Sequence, residues 1–230
     1  MEYINCWESK FQPCEYSDKL IFLLESLNKW VAEPVDINEV KKACHVAREY
    51  HGSQLRKSGE PYYSHPLEVG CLFSRYAGIE NHKYYTTDLV ITAILHDCLE
   101  DTKLTKDMIE AIFGDIVANG VQDLTRIKDG IKITAADSVD LLVSQHKEGV
   151  LLIKIFDRLH NARTINFMPP HKVVAILQET LRKFLFSSIY TETAAIEKEL
   201  IEISRRYLPK PQKNLGKLTS QGTYRLPSLD

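Results

Sequence analysis

Apolar residues recur at helical spacing over most of the chain. Residues 17–33 place Leu20, Leu23, Leu24, Leu27, Trp30 and Val31 three and four positions apart, which predicts an amphipathic helix stopped by Pro34. Residues 37–51 repeat the theme with Val40, Ala43, Cys44 and Ala47. A loop is expected over 52–64, where Gly52, Gly59 and Pro61 punctuate polar residues. Pro66 suits the start of a helix over 66–77, with Ser64 or His65 in the cap region. Residues 87–100 are apolar on nearly every side except at their end, which predicts a central buried helix. Shorter helices are expected over 105–113, 114–126 and 135–146, and a second nearly buried one over 149–163. Pro169 and Pro170 break the chain, and 171–206 reads as one long helix or two. No run of alternating strands and no internal repeat stands out, so the expected fold is all-α.

The ends differ from the middle. Residues 1–36 read as an N-terminal helical extension and 37–208 as the main domain. The stretch 209–230 carries four basic side chains against one acid, with little apolar content, and reads as a mobile basic tail.

Composition narrows the class. In 230 residues, 44% are apolar and 26% charged, enough for a sizeable core without disulfide or metal staples. Lysine and arginine number 29 against 31 acids, so nothing in the overall charge (−2) points to nucleic acid or an anionic membrane as partner. The five cysteines, at 6, 14, 44, 71 and 98, are odd in number and form no C-x-x-C pair; reduced thiols are the simpler reading. The first ten residues lack the basic-then-apolar layout of a signal peptide. The densest apolar run, 150–156, is too short to span a membrane and is interrupted by Lys154. A cytoplasmic protein is expected.

Two polar clusters end otherwise greasy helices. The first is Leu95-His96-Asp97-Cys98-Leu99-Glu100-Asp101-Thr102, where helical spacing would stack His96 with Glu100 and Asp97 with Asp101. Desolvating several carboxylates together is costly unless a cation pairs with them. The second places Asp157, His160, Asn161 and Thr164 on one stripe of the 149–163 helix. Either cluster alone could be a solvated helix end, and His65 alone a surface histidine. Together His65, His96, Asp97 and Asp157 offer two imidazoles and two carboxylates from three helices, a set suited to a divalent ion such as Mn, Fe, Co or Zn. Such an ion makes water more acidic and polarises phosphoryl oxygens. Glu100 and Asp101, one turn on, are placed to handle the water's proton.

The order H…HD…D resembles the HD-domain phosphohydrolases. The run Arg56-Lys57-Ser58-Gly59-Glu60-Pro61-Tyr62, then His65-Pro66-Leu67, then 95–102, then Phe113-Gly114, then Asp157-Arg158-Leu159-His160-Asn161-Ala162-Arg163-Thr164, resembles the hydrolase domain of RelA/SpoT alarmone enzymes over about residues 40–200. The resemblance implies an HD-type helical bundle with its metal site where helix ends converge. It implies manganese held by His65, His96, Asp97 and Asp157, with Glu100 and Asp101 assisting the water. It further implies a small nucleotide substrate, guanosine tetra- or pentaphosphate, losing its 3′-pyrophosphate, with Arg56, Lys57, Tyr62, Asn161 and Thr164 beside the nucleotide. Long RelA/SpoT enzymes continue into a synthetase domain, whereas this sequence resembles the stand-alone hydrolases or half of a split system. A homo-oligomer or a separate synthetase partner fits that reading. The segment 121–130 matches the long enzymes only loosely. Two other readings stay open: HD-type hydrolysis of another 3′-phosphorylated nucleotide, and a non-catalytic nucleotide-binding regulatory module.

Overall fold

The structure is a computed structural model that describes residues 6–128, 131–184, 187, 191 and 193–208. A short helix α1 (Trp7–Lys10) precedes α2 (Glu15–Leu27) and α3 (Ile37–His51). Then come α4 (Ser64–Ile79), α5 (Thr87–Leu95), α6 (Cys98–Asp101), α7 (Lys106–Phe113) and α8 (Asp115–Leu124). A small hairpin of β1 (Ile127–Lys128) and β2 (Ile131–Lys132) interrupts the helices, followed by α9 (Ala135–Ser144), α10 (Glu148–Arg163), α11 (Pro170–Glu179) and α12 (Ala194–Tyr207). The bundle is the all-α fold expected, with that hairpin as the exception.

At the centre lies α5, packed on α3, α4, α8 and α10. Its residues from Val90 to Leu95 are all buried, as a helix apolar on every side must be. Thr86 caps it through the Leu89 amide. Such close packing needs small partners: a Cβ on Gly120 of α8 would sit 2.9 Å from the Thr92 side chain, so only glycine lets α8 close onto α5. On α10, the run from Leu151 to Phe156 is likewise buried. Helix α2 lays Leu20, Leu24 and Leu27 against the core beside α4.

Several expectations are revised. Helix α2 ends at Leu27, well before Pro34, and Trp30 is 83% exposed, outside the apolar stripe. Helix α4 begins at Ser64, so Ser64 and His65 are inside its first turn. The region 87–100 is two helices, because α5 stops at Leu95 and α6 starts at Cys98. Over 171–206, α11 passes into a π-helical turn at Thr180–Phe184 before α12. The expected tail over 209–230 lies outside the described residues.

Candidate metal centre and its cleft

His65 arrives on the first turn of α4, set by the loop before it. That loop folds back on itself: Arg56 N–H donates to the Glu60 carbonyl at 2.9 Å, and Gly59, at φ +90°, takes the left-handed conformation the turn needs. His96 and Asp97 occupy the junction between α5 and α6. The His96 Nδ1–H donates to the Ala93 carbonyl at 2.8 Å, which fixes the tautomer and leaves Nε2 as the free donor atom. Asp157 comes from the third turn of α10.

These side chains meet. One donor atom each from His65, His96 and Asp157 lie within 4.8 Å of one another. His65 Nε2 is 3.1 Å from Asp157 Oδ1 and 3.5 Å from Asp97 Oδ2. His96 Nε2 is 3.3 Å from Asp97 Oδ1 and 3.8 Å from Asp157 Oδ1. It is also buried without a hydrogen-bond partner, an orphaned atom pointing at carboxylates. A shared cation would satisfy that atom and both carboxylates at once, and the mixed nitrogen–oxygen set fits a divalent transition metal.

The electrostatics say the same. Burial opposes the charge on His96, yet Asp97 and Asp157 raise its pKa well above the ordinary value. Burial pushes the two carboxyls up, but the two histidines hold both well below the usual carboxylate range. Burial lowers the His65 pKa despite the same carboxylates. The cluster therefore wants positive charge, which a proton on His96 supplies in place of an ion.

A second ring of contacts orients the donors. His65 Nδ1 lies 2.8 Å from His160 Nδ1, so one ring must donate to the other. Burial, with the charges of His65 and Arg56, pushes the His160 pKa down to about 3, so His160 is neutral. With the shared proton on His65 Nδ1, the His65 Nε2 lone pair faces the cluster. Tyr62 stacks on His51, and its hydroxyl lies 2.6 Å from Asp101 Oδ2 and 3.1 Å from Asp97 Oδ2. Its one proton serves one carboxylate at a time. Tyr62 thus sits at the carboxylates, in the same cleft as the Arg56 group.

That group forms the other side of a cleft of about 630 Å³. Arg56 donates to Thr164 Oγ1 at 3.2 Å and Asn161 Oδ1 at 3.4 Å, while Asn161 Nδ2 donates to Asp157 Oδ1 at 2.6 Å. Lys57 is exposed, with its ammonium 3.3 Å from Met168 Sδ. Asp101 is exposed beside the ligands. Glu100 is engaged elsewhere: Arg126 N–H donates to it at 2.5 Å, and Lys132 pairs with it at 3.4 Å. Burial raises the Glu100 pKa, but the Arg126 amide and guanidinium and Lys132 bring it below its ordinary value. His160, Arg126 and Lys132 carry no assigned role in the sequence reading; the His160 stripe position was a signal for the first, and the basic run of 126–132 for the others. A larger groove of about 1450 Å³ lies beyond α6, but His65, His96 and Asp157 do not line it.

The fold and the clustered donors define a class, and comparison agrees. The family model described as HD domain matches residues 43–187. The chain belongs to the HD-domain family. Within it, the RelA/SpoT resemblance holds. The chain is 35% identical over 187 residues to "GTP pyrophosphokinase rsh" of Brucella ovis, covering 75% of this chain and 23% of that protein. It is 36% identical over 170 residues to "Bifunctional (p)ppGpp synthase/hydrolase SpoT" of Escherichia coli, covering 70% and 23%. The chain thus spans about a quarter of the length of the curated relatives it matches. A solved structure described as "a metazoan ortholog of SpoT" that "hydrolyzes ppGpp" shares the fold, with a TM-score of 0.60, 23% identity, 76% of this chain and 98% of that one. No described helix is long and apolar enough to cross a membrane.

Proposed function

We propose that the chain is a manganese-dependent hydrolase that converts guanosine tetra- or pentaphosphate, (p)ppGpp, to GDP or GTP and pyrophosphate. The observation that carries this reading is the convergence of His65, His96 and Asp157, with Asp97 beside both histidines, in a cleft also lined by Arg56, Lys57, Arg126, Lys154 and Arg158. A metal-binding donor set beside five cations suits a polyphosphate. RelA/SpoT homology supports the alarmone as that polyphosphate.

In this reading His65, His96, Asp97 and Asp157 hold the ion, which supplies Lewis acidity toward water and phosphoryl oxygen. His160 and the Ala93 carbonyl keep the two imidazoles in register. Arg56, Lys57, Asn161 and Thr164 hold the nucleoside, and Tyr62 holds Asp101 in place. Water oxygen bonds to the phosphorus next to the ribose, the bond from that phosphorus to the 3′-oxygen breaks, and pyrophosphate leaves. Glu100 and Asp101 take the water's proton and return one to the 3′-oxygen. Residues 37–208 form the hydrolase domain, 1–36 a helical extension and 209–230 a basic tail. The setting is cytoplasmic.

The test incubates full-length protein with manganese and a panel of guanosine and adenosine 3′-pyrophosphates, and resolves the products chromatographically. Pyrophosphate and GDP from ppGpp support the reading. Turnover of the adenosine compounds alone, or nucleotide binding without products, overturns it.

A further inference from the structure

Glu100 is surrounded by more positive charge than one carboxylate needs. Arg126 gives it a backbone N–H at 2.5 Å and a guanidinium nitrogen at 3.4 Å, and the Lys132 ammonium is 3.4 Å from Oε2. A third cation, Lys154, also lines the cleft and is only 7% exposed. Its ammonium carries three protons, and one donates to the Leu124 carbonyl at 2.9 Å. Burial holds the Lys154 pKa below its ordinary value, and the carboxylates of Asp157, Asp97 and Glu100 oppose that, but the first two are committed to the histidines. A buried ammonium with donors to spare is costly without an anion to receive them.

The position of these cations matters as much as their number. Lys154 lies one turn before Asp157 on α10, and Asn161 and Thr164 lie one and two turns after it. At 1.5 Å per residue, Lys154 and Thr164 are about 15 Å apart along the helix axis. The cleft therefore has two cationic stations with the donor cluster between them. Arg56 and Lys57 belong to one, and Arg126 and Lys154 to the other, with Lys132 reaching it from outside the lining through Glu100.

The geometry points to Arg126, Lys132 and Lys154 as the subsite for the pyrophosphoryl group, with Glu100 as the resident anion that the substrate displaces. This deepens the reading above and rests on it. Three cations against one carboxylate leave two positive charges unmatched, which suits a multiply charged anion. An incoming pyrophosphoryl group takes over the two ion pairs, and Glu100 is freed to face the water. Substrate binding and release of the base are then one event.

The test titrates inorganic pyrophosphate into the full-length protein by calorimetry, with and without manganese, and measures ppGpp turnover in parallel. Lys154→Met and the double variant R126A/K132A are each expected to weaken pyrophosphate binding by about ten-fold or more, a charge-assisted contact being lost in each. Glu100→Gln removes the competing anion, so it is expected to tighten binding severalfold while slowing turnover. That gain should vanish when Glu100→Gln is combined with R126A/K132A, because the three residues act on one another. A gain that survives in the combined variant overturns displacement. Unchanged binding in R126A/K132A overturns the subsite even if Lys154→Met fails to fold, since the Arg126 and Lys132 side chains are 37% and 61% exposed and their loss leaves the core intact. Loss of pyrophosphate binding in a protein that does not turn over ppGpp supports the subsite and sinks the substrate reading.

Discussion

The two sides of the cleft are built differently. At the donor cluster, the imidazoles of His65 and His96 are buried, each tied at Nδ1 by a 2.8 Å hydrogen bond, on helices packed into the core. On the Arg56 side, Arg56 reaches Asn161 and Thr164 over 3.4 and 3.2 Å from a loop, and Lys57 is exposed. An ion tolerates little error in ligand position, whereas a nucleotide is held by many contacts that adjust. The difference teaches that the donor cluster is set by helix packing, while the Arg56 side is set by a loop.

The hardest blow to that contrast is at the cluster itself. Asp157→Ala should abolish manganese retention in metal analysis after dialysis, and activity with it, since the remaining donors lose their central carboxylate. Full metal content in the variant would dissolve the distinction. Next come Glu100→Gln and Asp101→Asn, each expected to keep the ion but slow turnover by about 10²–10⁴-fold. Loss of metal in either would move that residue into the ligand set. His160→Leu removes the acceptor for His65 Nδ1 and should weaken manganese affinity by about 10–100-fold without unfolding the chain, as read by metal titration and melting. Arg56→Ala is milder: KM should rise more than kcat falls, because its contacts act on ground and transition states alike. A pure kcat effect would place Arg56 in the reacting group.

The smallest effect is in pH. A raised His96 pKa favours the protonated ring in the fold. Its stabilisation is full below the ordinary value of 6.5 and is lost as pH rises through the raised value. A divalent ion held at His96 would replace that proton, so the gap in melting temperature between manganese-loaded and metal-free protein should widen with rising pH. A gap that stays constant would separate the ion from His96.

Legibility in the sequence followed the same divide. Helix α3 matches its expected bounds, since one apolar stripe and the Asp36 cap define it. His96, Asp97 and Asp157 stood out because they interrupt greasy helices, where a charge needs a reason, whereas His65, at a loop-to-helix junction, stood out only as part of the set. The break at His96 was not legible: residues 87–100 keep helical spacing throughout, and only the His96–Ala93 bond ends the run. The hairpin escaped because its strands have two residues each, although Asp129-Gly130 between them is a hairpin signal in the sequence. The Glu100 ion pairs depend on that hairpin, across 26 and 32 residues of chain, so local pattern could not supply them.

The short step between α5 and α6 has a consequence for how this chain can change length. One residue added inside α5 would turn everything after it by about 100° about the helix axis. His96 would leave Asp157, and Gly120 would no longer meet Thr92, so core and chemistry would fail together. Insertions and deletions should therefore be refused along α5, which makes that helix a ruler against which the rest of the site is measured.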